Sequence, residues 1–189
     1  MIENSPFIKA LKKEPLEVPP IWYMRQAGRY MPEYRAVRSK FKNFLDMCKN
    51  PDVCCELAMQ PIDKFRLDAS ILFSDILTIP DAFGLKVEFV EGEGPRLSTI
   101  KMQKDLDNLK PIDEIDSTLS PIYETVRILK ETLPDNVALI GFAGAPWTVA
   151  SYMIAGRGTV DQAPAHDLLK NNNPVFESLI EIITEATIH

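Results

Sequence analysis

Arg25 and Arg29 stand four residues apart around Gln26-Ala27-Gly28, directly after the apolar run Pro20-Ile21-Trp22-Tyr23-Met24. A guanidinium offers a rigid fork of donors that grips a carboxylate or phosphate through two parallel hydrogen bonds. Small residues between two such forks let the backbone approach a ligand. The spacing reads as an anion clamp; it also suits a surface loop with two solvated charges. Asp75 follows the apolar Leu72-Phe73-Ser74 and precedes Ile76-Leu77. A carboxylate at the lip of an apolar strand is costly unless something pairs with it. It could face a ligand rich in N–H donors, stabilise a cation that develops during reaction, or cap the helix that starts at Ile76. Tyr152, in Trp147-Thr148-Val149-Ala150-Ser151-Tyr152, sits about one turn into a helix. Its hydroxyl could reach a ligand oxygen, or it could be a packed helix tyrosine.

Charge sharpens the clamp reading. Between Arg25 and Lys42 six basic residues face only Glu33, a local charge of +5 in a chain whose formal net charge is −6. A chain this acidic is not built to hold nucleic acid or an anionic membrane by net charge. A focused positive patch suits a small polyanion instead. Arg35, Arg38, Lys40 and Lys42 are assigned to the wet face of a helix, and Arg25 and Arg29 to the clamp. His166 and His189 are the only histidines, so a metal site is not expected. Cys48, Cys54 and Cys55 form no C-x-x-C pair and read as buried thiols in a reducing cytoplasm. No apolar run approaches the roughly 20 residues of a membrane helix, and Met1-Ile2-Glu3-Asn4-Ser5-Pro6 lacks signal-peptide features. The expectation is a cytoplasmic protein.

The elements that must carry these groups alternate in type. Ile21–Met24 reads as a buried strand, and Ala69–Phe73 and Val137–Phe142 as strands apolar on both faces. Lys86–Val90 alternates like a half-exposed strand, and Gly92-Glu93-Gly94-Pro95 reads as a plain turn rather than an anion nest. Phe7, Ile8 and Leu11 predict a short leading helix, and Pro32 opens one carrying Tyr34 and Val37. Asn50-Pro51 caps a helix that Pro61 should kink, and Leu119 to Leu133 spell an amphipathic helix. Asn173-Pro174 opens a last helix running to His189 without a stop signal. Such alternation points to a parallel α/β fold, where chemistry gathers at the C-terminal ends of strands. Arg25 to Arg29, Ser74-Asp75 and Phe142 to Tyr152 all take that place. No G-x-G-x-x-G follows a strand, so dinucleotide binding lacks its signal. A (β/α)8 barrel takes about 250 residues. The expectation is one domain over residues 1–189 forming the N-terminal part of a (β/α)8 TIM barrel, with about three barrel strands and one side strand.

The run Pro20-Ile21-Trp22-Tyr23-Met24-Arg25-Gln26-Ala27-Gly28-Arg29-Tyr30-Met31-Pro32-Glu33-Tyr34-Arg35 closely resembles the N-terminal signature of the uroporphyrinogen decarboxylase family. Cys54-Cys55-Glu56-Leu57, Gln60-Pro61, Phe73-Ser74-Asp75-Ile76-Leu77, Gly92-Glu93-Gly94-Pro95, Gly141-Phe142-Ala143-Gly144-Ala145-Pro146-Trp147-Thr148 and Ser151-Tyr152-Met153 recur in the family's order. The resemblance implies a (β/α)8 barrel that works as a homodimer without metal or prosthetic group. It implies conversion of uroporphyrinogen III to coproporphyrinogen III, turning four acetates into methyls. Arg25 and Arg29 would then hold substrate carboxylates, with the Gln26-Ala27-Gly28 backbone on the same wall. Asp75 would accept from the pyrrole N–H groups and stabilise the cationic ring, and Tyr152 would contact substrate near the reacting acetate. The identity of the proton donor stays open. The family's later substrate-contacting serine and histidine have no counterpart, and Arg157-Gly158 stand where it often has a more acidic or glycine-rich run. The chain alone is therefore expected to be weakly folded or inactive. Two other readings stand beside this one: a corrinoid or cobalamin-independent methyltransferase barrel with zinc on later Cys and His residues, and a non-catalytic remnant that binds a porphyrinogen or a partner. The Arg-Gln-Ala-Gly-Arg run speaks against the methyltransferase.

Overall fold

The computed structural model describes residues 5–24, 30–90, 92–171 and 173–189. Its elements run α1 (Pro6–Leu11), α2 (Pro32–Arg38), α3 (Phe44–Cys48), α4 (Pro51–Phe65), β1 (Ala69–Ile71), α5 (Thr78–Ala82), β2 (Val87–Val90), β3 (Gly94–Leu97), α6 (Gln103–Asp107), α7 (Asp116–Thr132), β4 (Ala138–Ile140), α8 (Pro146–Ala155), α9 (Ala163–Lys170) and α10 (Pro174–Ile188). A short 3-10 turn at Ile112–Glu114 precedes α7. The chain divides into two compact units, Met1–Ser74 with Pro121–Phe142, and Asp75–Ser120 with Ala143–His189.

In the first unit β1 and β4 pair in parallel, Ala69 opposite Ala138, Ser70 opposite Leu139 and Ile71 opposite Ile140. Parallel neighbours need a long crossover, which α7 completes here. Helix α4 lies on β1, and Ser70, fully buried, donates its hydroxyl to Ala58 O at 3.0 Å. The start of α4 follows from local chemistry: Asn50 Oδ1 accepts from Val53 N–H at 3.2 Å, and Pro51 occupies the first helical position, where its missing N–H costs nothing. The helix continues through Pro61 to Phe65. Cys55, Ala58, Leu72 and Leu129 form one apolar cluster, and Met31, Tyr34, Val37, Met47 and Leu57 another. Cys48, Cys54 and Cys55 are buried free thiols, as expected. Burial, with the neighbouring Cys55 thiol, pushes the Cys54 thiol up to about 12, and its S–H points at Met47 O and Cys48 O.

The expected strand at Ile21–Met24 is not formed. Ile21 O accepts from Asp68 N–H at 3.0 Å, but the Asp68 carboxylate takes the Ile21 N–H at 2.7 Å, and Ile21, Tyr23 and Met24 are exposed. A side chain thus occupies the donor that a ladder partner would have used. Among the described residues the first unit holds two parallel strands rather than three.

In the second unit β2 and β3 form an antiparallel hairpin, with Glu88 opposite Arg96 and Val90 opposite Gly94. The expected turn lies at its tip, where Glu93 N–H donates to Val90 O and Gly92 adopts φ 79°. Gly94 and Pro95, read as turn, already belong to β3. Helices α8, α9 and α10 pack on Val149, Met153, Ala165, Phe176, Leu179 and Ile183. Trp147 lies between α9 and α10, its ring 4.8 Å from His166 and 5.7 Å from Phe176, and its indole N–H donates to Gln162.

Candidate functional site

β1 ends at Ile71, and the next residue still reads the ladder, Leu72 N–H donating to Ile140 O at 2.9 Å. Phe73 packs in the first unit against Tyr34 and Phe44, at ring separations of 6.2 and 5.9 Å. Asp75, two residues on, opens the second unit. Its Oδ1 accepts the Leu77 N–H at 2.8 Å, and its carbonyl accepts the Thr78 hydroxyl at 2.8 Å. This is the local turn that aspartate favours, and it starts α5 two residues later than the sequence suggests. Asp75 is not the N-cap of a helix starting at Ile76, because α5 begins at Thr78 after Leu77 and has no side-chain cap; one carboxylate oxygen is fixed by the turn, while Oδ2 makes no hydrogen bond to a described residue. Asp75 forms no ion pair among the described residues. Its burial pushes the carboxyl pKa up, and the Leu77 N–H opposes that rise only in part.

The loop after β4 reaches the same turn. A Cβ on Gly144 would lie 2.6 Å from Val149 Cγ2 and 3.0 Å from Ile76 Cβ, so the backbone passes where no side chain fits. Gly144 lets that loop press against the residue following Asp75. Its signal in the sequence is a lone glycine between two alanines at the end of a buried strand. From this loop Pro146 opens α8, which carries Tyr152 in its second turn, one turn into the helix as read from the sequence. Tyr152 is half-buried.

Arg25, Gln26, Ala27, Gly28 and Arg29 lie outside the described residues. Arg35 and Arg38 fall on α2, as expected, whereas Lys40 and Lys42 stand beyond its end. Arg38 donates to Phe41 O and sits 6.0 Å from the Phe44 ring. Pattern reading also missed two buried polar atoms of the first unit, Trp22 Nε1 and Gln60 Oε1, which have no hydrogen-bond partner among the described residues. Among those residues no group of three His, Cys, Asp or Glu side chains is gathered for a metal, and no helix is long and apolar enough to cross a membrane.

The sequence profile of the uroporphyrinogen decarboxylase (URO-D) family matches residues 2–189. The chain belongs to the uroporphyrinogen decarboxylase family. Over 188 residues it is 59% identical to the uroporphyrinogen decarboxylase of Roseobacter denitrificans and 58% identical to that of Ruegeria pomeroyi, covering 100% of this chain and 55% of each relative. The Paracoccus denitrificans decarboxylase is 58% identical over 187 residues. The chain thus spans about half the length of the curated relatives it matches. Among solved structures, a methyltransferase from Methanosarcina mazei superposes with a TM-score of 0.70 at 20% identity, over 97% of this chain and 53% of that one. At that identity the likeness shows the fold alone, and it agrees with the family's (β/α)8 barrel. The fold class read from the sequence, part of such a barrel, stands.

Proposed function

We propose that this chain is the N-terminal portion of an enzyme that decarboxylates the four acetate side chains of uroporphyrinogen III to give coproporphyrinogen III. Family membership over residues 2–189 carries the reading. The half-desolvated Asp75 supports it chemically, because it keeps one carboxylate oxygen in a fixed turn and the other without a hydrogen bond to described residues. Arg25 and Arg29, with the Gln26-Ala27-Gly28 backbone, bind substrate carboxylates. Asp75 accepts from the pyrrole N–H groups at the centre of the macrocycle. Protonating the pyrrole carbon next to an acetate makes the ring cationic, and the carboxylate C–C bond then breaks towards that cation and releases CO₂. A second proton exchange restores the pyrrole and leaves a methyl group. Each cycle consumes one proton and releases one CO₂, and no redox partner enters. Asp75 opposes the positive charge while it exists, the type of fixed electrostatic aid that lowers such barriers most. The Tyr152 hydroxyl bonds the substrate beside the reacting acetate. The enzyme works as a homodimer in the cytoplasm.

The test is a chimera in which residues 1–189 replace the matching half of the Roseobacter denitrificans decarboxylase. Anaerobic incubation with uroporphyrinogen III, followed by chromatography of the oxidised porphyrins, should show hepta-, hexa-, penta- and tetracarboxylate products in turn. A folded chimera that leaves the octacarboxylate untouched contradicts the proposal.

A further inference from the structure

Gly156 ends α8 in a left-handed conformation, φ 71°, and its N–H donates to Tyr152 O at 2.8 Å. A Cβ there would stand 2.8 Å from Thr99 Cγ2 and 3.0 Å from Leu97 O, so glycine is required twice over. The chain then turns back along the edge of β3. Leu97 N–H donates to Gly156 O at 2.8 Å, and Arg157 bridges antiparallel to Arg96. Residues 156–158 are therefore strapped to a strand, and the strap rests on Tyr152. A Cβ on Gly158 would lie 3.1 Å from the Tyr152 hydroxyl oxygen and 3.4 Å from ring atoms Cε1 and Cζ. The backbone of Gly158 is outside the left-handed region. What glycine supplies at this position is space rather than conformational freedom.

We propose that Gly158 is a positioning residue: the Gly156–Gly158 strap sets the direction of the Tyr152 hydroxyl. The inference rests on the reading of Tyr152 as the tyrosine beside the reacting acetate. A tyrosine ring has two torsions, so its far end goes where its neighbours allow. Any side chain at 158 makes the phenol give by a few tenths of an ångström. Displacing the hydroxyl weakens a single hydrogen bond to the ligand, so Gly158→Ala should weaken ligand affinity by about threefold to tenfold. Gly158→Val should weaken it further.

The experiment takes as its parent chain the chimera with the Roseobacter denitrificans decarboxylase, labelled with 3-fluorotyrosine; residues 1–189 contribute five tyrosines. Tyr152→Phe identifies the Tyr152 fluorine resonance by deleting it. Binding of uroporphyrin I, a stable octacarboxylate, is followed by fluorescence for the parent chain, Gly158→Ala, Tyr152→Phe and the double variant. The expected result is that Gly158→Ala moves the Tyr152 resonance alone and leaves the thermal midpoint in place. It lowers affinity when Tyr152 is present and has no effect in the Tyr152→Phe background. An unmoved Tyr152 resonance overturns the proposal, as does an equal loss of affinity in the Tyr152→Phe background. Absent uroporphyrin binding by the parent chain, with the resonance still displaced by Gly158→Ala, overturns the tetrapyrrole reading and supports the strap's control of the ring.

Discussion

Asp75 does two things that conflict in stability. One oxygen closes the turn into α5, while the carboxylate as a whole is held in a place that disfavours its charge. Its folded-state pKa is raised, so the folded chain binds that proton more tightly than the unfolded chain does. The associated stability is present below the ordinary carboxylate range and is lost as pH rises through the raised value. Asp75→Asn keeps an oxygen for the Leu77 N–H and removes the charge. At pH 7 this variant should melt at the parent's temperature or above it, and the difference should vanish below about pH 3.9, the ordinary aspartate value. In the chimera its turnover should fall by about a hundredfold to a thousandfold, the scale seen when a preorganised electrostatic group is lost. Melts from pH 3 to pH 8 beside the porphyrin assay check both halves. A destabilised Asn variant at pH 7, or one with full turnover, contradicts the assignment. Asp75 was legible in the sequence because an acid after an apolar strand needs a reason. The rival reading made it the N-cap of a helix at Ile76, whereas it closes a turn ahead of α5, which begins at Thr78.

At the scale of elements, two loops serve one place. Gly144 allows the loop after β4 to press on Ile76, next to Asp75. Gly144→Ala forces a methyl to within 2.6 Å of Val149 Cγ2, so Val149 or the loop must shift. Overpacking of this kind costs about 1–3 kcal/mol. A denaturation series should show that loss, and the chimera should lose turnover because the Asp75 turn moves with Ile76. Helix α4 was legible to its first residue, because Asn50 and Pro51 each have a single cheap role there. The strands β1 and β4 were legible as continuous apolar runs, and they come out shorter than those runs. Ile21–Met24 deceived the same logic, since apolarity does not supply a ladder partner and Asp68 intercepts its donor. β3 was hidden because Gly94 and Pro95 are poor strand formers, tolerated only by pairing with β2. The strap over Tyr152 has no sequence signature, since it depends on a bridge between residues 61 positions apart, Arg96 and Arg157.

For the whole molecule, the three thiols all lie in the first unit, which makes them its reporters. With Cys54 pushed up to about 12 and fully enclosed, iodoacetamide at pH 8 should leave it unmodified in the folded chain. Modification should appear only as denaturant unfolds that unit, and labelling without denaturant would contradict the packing of α4. Charge sets the other global property. A chain at −6 concentrates +5 between Arg25 and Lys42, so attraction for a polyanion is local and screened by salt. The most direct measurement is a titration of the chimera with uroporphyrin I, repeated for Arg25→Ala, Arg29→Ala and Asp75→Ala at low and at physiological salt. The account predicts saturable one-to-one binding, weakened about tenfold or more by each arginine substitution and less steeply dependent on salt in those variants. Binding of equal strength and equal salt dependence in Arg25→Ala and Arg29→Ala would contradict it.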